Sequence, residues 1–74
     1  MVTEAGRKLR AWRKSQKPPL SAHDAARWLG LSFMSVYRVE TGTRPAGGKI
    51  MRSLLQREIC APGDFDIPAS DEAA

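Results

Sequence analysis

In residues 22–41 the small and apolar side chains fall at offsets that suit two short helices meeting at one glycine. Ala25, Ala26 and Leu29 share one face of a helix that starts after Ser21, and Val36 and Val39 share one face of a helix that starts after Ser32. Gly30 stands between them, where a left-handed residue is cheap only for glycine. Leu31 adds a further peg into whatever lies beneath. Helices that cross steeply need small residues at the contact, which Ala25 and Ala26 supply, and a sharp turn, which Gly30 supplies. Few architectures demand all of these positions together.

The reading extends in both directions. Residues 4–16 put Leu9 and Trp12 on one side, with Ala5 a turn earlier, and Arg7, Lys8, Arg10 and Lys14 on the other, which predicts a first helix. Lys17-Pro18-Pro19 ends it, because proline cannot donate to the ladder and pushes its predecessor out of helical geometry. Ser21 and Asp24 read as a capping box, in which the hydroxyl takes a backbone N–H and the carboxylate reaches back. Gly42 closes the third helix, and residues 43–48 form a loop by composition. Ile50, Met51, Leu54 and Leu55 predict a fourth helix over about residues 48–58. Pro62-Gly63-Asp64 predicts a turn, and Phe65 and Ile67 a short docked segment. Residues 1–67 then make one domain, and residues 68–74 an acidic tail expected to be disordered. The expected fold class is all-α, a small bundle of four to five helices.

Size and charge bound the function. The chain has 74 residues, enough for one domain. A body this small buries only about 60% of its unfolded surface, so pairing with a second copy would help it. No apolar run approaches the ~20 residues of a membrane span, and no secretory leader pattern is present. Cys60 is the single cysteine, which leaves no internal disulfide and no Cys/His cluster for zinc. No metal, no cofactor and a cytoplasmic location are the expectations. Residues 1–57 hold all twelve Lys and Arg against Glu4, Asp24 and Glu40, a net +9, whereas residues 58–74 hold five acids and no cation, a net −5. A body at +9 favours a polyanion partner, against the plainer reading of a solvated basic face. The acidic end suits either a solubilising tail or a weak competitor for the basic face. An enzyme is not expected: no nucleophile–base set, no paired carboxylates and no phosphate-cradling glycine loop are present.

The stretch Leu20 to Pro45 resembles the helix-turn-helix of the Cro/CI-type phage repressors and their bacterial relatives, the XRE-like family. The resemblance rests on Leu20-Ser21, Ala25-Ala26, Leu29-Gly30-Leu31-Ser32, Val36, Val39-Glu40, Gly42 and Pro45, with Leu9 and Arg13 in the first helix. Ala61-Pro62-Gly63-Asp64-Phe65 is similar to the closing segment of the small Cro-like members, so about 60 of the 74 residues are covered. It implies a lambda-repressor-like bundle, with the helix-turn-helix at 22–41 and a recognition helix at about 33–41. It also implies binding to double-stranded operator DNA as a two-fold dimer. Three features depart from the family pattern. The first linker is about two residues longer, Ala22 stands where a phosphate-gripping Gln is usual, and Phe33 and Met34 stand where Gln, Asn or Arg usually read bases.

The resemblance assigns Ser32, Phe33, Met34, Tyr37 and Arg38 to the groove-facing positions. Arg38 suits a bidentate grip on guanine, worth about 1–3 kcal/mol of discrimination, or a phosphate contact. Phe33 and Met34 suit packing on thymine methyls, or a local patch against the fourth helix. Tyr37 suits a base or a phosphate. Phosphate contacts are expected from Ser21 and His23 at the second helix start, from Lys14 and Lys17, and from Arg44 and Lys49. Neutralising about five phosphates implies a log–log salt slope of roughly −4 to −5 per chain. Arg13 and Glu40 match family positions that form a mostly buried ion pair, with two unrelated surface charges as the alternative. Trp12 is expected behind Leu9. Trp28 either covers the first helix or joins a protein contact. Cys60 reads as an inert, half-buried hydrophobe.

One helix reads only about 4–6 base pairs, too few for a genome, so a homodimer on an inverted repeat is expected, with recognition helices roughly 34 Å apart. Met51, Leu55, Ile59, Phe65 and Ile67 are the candidate dimer interface. A repressor is the expected role, with no membrane partner and no small-molecule ligand evident. The rival is a protein-interaction module, an antitoxin or adaptor on the same fold.

Overall fold

The computed structural model of the chain describes residues 2–43 and 47–66, and these residues are helical with no strand. Four α-helices and a closing 3-10 turn follow in order: α1 (Glu4–Ser15), α2 (Ala22–Leu29), α3 (Phe33–Thr41), α4 (Gly48–Gln56) and the turn Pro62–Phe65. Arg44, Pro45 and Ile67 lie outside the described residues, as does the expected tail at 68–74.

Local chemistry fixes the helix starts. The hydroxyls of Thr3, Ser21 and Ser32 accept the N–H groups of Gly6, Asp24 and Ser35 at 3.2, 3.1 and 3.1 Å. Each satisfies one of the donors that a helix leaves unpaired in its first turn. At Ser21 this is the hydroxyl half of the predicted capping box. Gly30 closes α2 at φ +70, and the following Leu31 N–H reaches back to the Ala26 carbonyl at 2.9 Å. Gly42 closes α3 at the same φ.

Two helices stop short of the sequence expectation. α1 ends at Ser15, where Gln16 turns extended and donates its side-chain amide to the Trp12 carbonyl at 3.0 Å. α4 ends at Gln56 because Glu58 adopts a left-handed φ of 57. That reversal lets the Glu58 and Ile59 N–H groups bond the Leu55 and Leu54 carbonyls at 3.1 Å each, and it turns the chain back onto the body.

The core is assembled from all four helices. Leu9, Val36 and Leu54 are fully buried, joined by Ala5, Ala26, Leu29 and Val39, with Trp12, Leu31 and Ile50 packed around them. Ile59 and Cys60 complete it from the segment after α4, and Phe65 packs against it from the 3-10 turn. This corrects two expectations. Ile59 belongs to the chain's own core, where the reversal at Glu58 delivers it, so it is not a free interface residue. Cys60 is buried, not half-buried, and burial pushes its thiol up to about 11, with Asp64 adding to the effect. It is therefore a neutral thiol at ordinary pH.

The closing turn is tied to the first helix. Asp64 accepts the Ala61 N–H at 2.7 Å and pairs with Lys8 of α1 at 2.8 Å. The Lys8 hydrogen bond holds the carboxyl below its usual range, and the same bond raises the lysine. So Asp64 is a structural residue, buried in the fold, and no part of a free acidic tail. No helix among the described residues is long and apolar enough to cross a membrane.

Candidate nucleic-acid interface

α3 presents two different sides. Val36 and Val39 point into the core, and Glu40 faces α1. The outer side carries Met34 and Tyr37, 45% and 47% exposed, with Phe33 and Arg38 half-buried beside them and Ser32 exposed at the cap. Arg38 forms no ion pair among the described residues, so its guanidinium is available to an outside acceptor.

What holds that outer side in place is a seam between α1 and α3. The Arg13 guanidinium donates from Nε and Nη2 to the two carboxylate oxygens of Glu40, at 2.8 and 2.9 Å. Its Nη1 donates to the Leu20 carbonyl at 3.2 Å, while the Leu20 N–H returns to the Arg13 carbonyl at 2.8 Å. One arginine therefore fastens α1, α3 and the linker into α2. The two side chains are only 16% and 10% exposed, and a fork of this kind on a carboxylate is among the stronger pairings. Glu40 holds the guanidinium more firmly protonated, against the opposing effect of burial. Next to the pair, Gly6 lets α1 approach α3 until a Cβ there would overlap the Val39 carbonyl oxygen.

His23 and Phe33 form a contact that linear spacing does not show. The imidazole lies flat on the phenyl ring, with centroids 4.0 Å apart and planes 10° from parallel, and Tyr37 continues the row at 6.0 Å. The second residue of α2 thus meets the first residue of α3. This corrects the alternative for Phe33, a patch against the fourth helix: its partner is α2. It also gives His23 a packing role at the edge of the outer face.

The expected phosphate groups come from three elements of the chain. Ser21 is exposed at the start of α2, Lys14 and Lys17 are exposed at the end of α1 and in the linker, and Lys49 is exposed in the first turn of α4. None of the three lysines forms an ion pair among the described residues, and Arg44 lies outside them. Arg10, Arg27 and Arg52 are further exposed cations that the sequence reading left unassigned. Of the dimer candidates, Met51 and Leu55 are half-buried on α4, Phe65 packs on the chain's own core, and Ile67 lies outside the described residues.

Two further contacts were missed by sequence reasoning. Ser53 of α4 donates its hydroxyl to the Leu29 carbonyl at 2.9 Å, pinning α4 to the end of α2. Lys8 reaches Asp64 across 56 residues of sequence. Neither carries a local signal, since a serine on a helix face and a lysine on an exposed stripe are both ordinary. Compared with protein-family models, curated proteins and solved structures, the chain gives no match.

Proposed function

We propose that the chain is a sequence-specific binder of double-stranded DNA, a transcriptional regulator of the helix-turn-helix kind. In this reading α2 lies over the phosphate backbone and α3 enters the major groove, as such helix pairs do. The observation that carries it is the outer face of α3, fastened from behind by the Arg13–Glu40 fork and carrying Arg38, Tyr37, Met34 and Phe33, on a body with several exposed cations that form no ion pair among the described residues. Arg38 is the residue for a guanine edge, Tyr37 donates or accepts through its hydroxyl, and Met34 and Phe33 pack on thymine methyls. Ser21, Lys14, Lys17 and Lys49 take phosphates and set the register. The protein acts as a homodimeric repressor on an inverted repeat. With Ile59 and Phe65 engaged in the core, Met51 and Leu55 of α4 are the candidates left among the described residues to carry the contact between copies.

Selection of duplexes from a random pool, followed by titration at several salt concentrations, tests this. The expected slope is roughly −4 to −5 per chain, and Arg38→Ala is expected to cost about 1–3 kcal/mol on the selected site and less on unrelated duplexes. Absence of duplex binding at low salt would overturn the reading. It would favour the interaction-module alternative, for which Met34 and Phe33, unable to donate to base edges, are the natural contacts.

A further inference from the structure

Trp28 is the most exposed large apolar side chain among the described residues, at 62%, and the core does not use it. Arg57, just past the end of α4, lies over the indole with its guanidinium carbon 5.8 Å from the ring centroid, within range of a cation–π attraction. Leu20, Asp24, Arg27, Trp28 and Arg57 line an open groove of about 490 Å³. His23 and Trp28 are five residues apart on α2, which separates them by about 140° around the helix. His23 marks the side of α2 that meets α3. The groove therefore lies on a different side of α2 from the contact with α3.

We propose that this groove is a docking site for an acidic protein segment, one with an apolar anchor flanked by carboxylates. Charge decides the class of occupant. Arg27 and Arg57 form no ion pair among the described residues, and Asp24 is the one carboxylate on the rim, so the groove is net positive. Covering Trp28 strips water from both guanidinium groups, which favours a partner that supplies carboxylates to them and disfavours a neutral or basic one. Trp and Arg also dominate the energetics of protein contacts once desolvated, and an indole offers about 150–250 Å² to bury. A DNA duplex carries its charge on the phosphate backbone and its apolar thymine methyls in the major groove, so it does not offer the two side by side as a peptide segment does. The proposal stands whether or not α3 binds DNA.

Random-peptide selection on the intact chain, with depletion on the Trp28→Ser variant, tests it. Enriched peptides are expected to combine an apolar side chain with neighbouring Asp or Glu, and to bind Trp28→Ser at least about tenfold more weakly. Arg57→Glu is expected to weaken them similarly, and both exposed-site variants are expected to keep the helical circular-dichroism signal and melting temperature of the parent. Duplex binding is measured on Trp28→Ser, which leaves the charge of the chain as it is, and is expected to be unchanged. Failure to enrich peptides over the depleting variant, enrichment of basic or neutral peptides, or a duplex that displaces them and is itself weakened by Trp28→Ser would each overturn the proposal. A chain that binds peptides in this way but ignores duplexes would sink the DNA reading alone.

Discussion

α3 is held at two joints, and each depends on a glycine for a different reason. At the α1 seam the requirement is space: a side chain at Gly6 would drive into the Val39 carbonyl, and the seam is locked beside it by the two-pronged Arg13–Glu40 pair. At the α2 joint nothing lies within 4 Å of where a Gly30 side chain would begin, and the requirement is a torsion, φ +70. The seam is a contact between residues far apart in sequence, and the joint is a bend in the chain. Position and direction of α3 are thus set by separate means, one non-local and one local.

Substitutions can break this comparison. Glu40→Ala is expected to have the largest effect, about 3 kcal/mol in chemical denaturation, because it strands a guanidinium in a mostly buried site. A loss under about 1 kcal/mol would put the pair in the class of exposed surface bridges and dissolve the idea of a locked seam. Gly6→Ala is expected next. Overlap costs about 3 kcal/mol and the better helix propensity of alanine returns about 1, for a net loss of about 2 kcal/mol. A neutral outcome would mean that α1 can simply back away. Gly30→Ala is expected to cost about 1 kcal/mol, the penalty of a left-handed L-residue. Asparagine sharpens the contrast: at position 30 it is expected to be milder than alanine, since Asn tolerates left-handed backbone, and at position 6 to be worse, since it is bulkier.

The smallest expected effect concerns the tie behind the seam. Lys8 and the Ala61 N–H hold the Asp64 carboxyl below the ordinary 3.8. A depressed carboxylate stabilises the fold above its unfolded value and loses that contribution as pH falls through its folded value. Melting temperature measured from neutral pH downward is therefore expected to drop below about pH 4, and Asp64→Asn to shrink that drop. An unchanged acid limb in the variant would remove Lys8–Asp64 from the forces that fix α1.

The local joint was legible and the non-local seam mostly was not. Ser21, Gly30, Ser32 and Gly42 announce their roles because capping and left-handed turns depend on one residue and its immediate backbone. Gly6 sits inside a helix and carries only a weak warning, the roughly 1 kcal/mol that glycine costs there, which hints at a reason without naming Val39. The Arg13–Glu40 expectation came from family resemblance, since 27 residues of separation say nothing by themselves. The His23–Phe33 stack depends on how α2 and α3 cross, which no periodicity specifies. Glu58 ends α4 early with a residue type that gives no sign of left-handed backbone, and the same reversal carries Ile59, an interface candidate by composition, into the core.

The Lys8–Asp64 bridge also imposes an order on biosynthesis. At a synthesis rate of about 5–20 residues per second, the separation of 56 positions between Lys8 and Asp64 takes roughly 3–11 s to make. For that interval α1 lacks its last fastening, and the stripe holding Ala5 and Leu9 waits for a cover made seconds after it. Helices form in microseconds, so the nascent chain spends seconds with its secondary structure available and its closure missing, the period in which a chaperone or a protease has its best access.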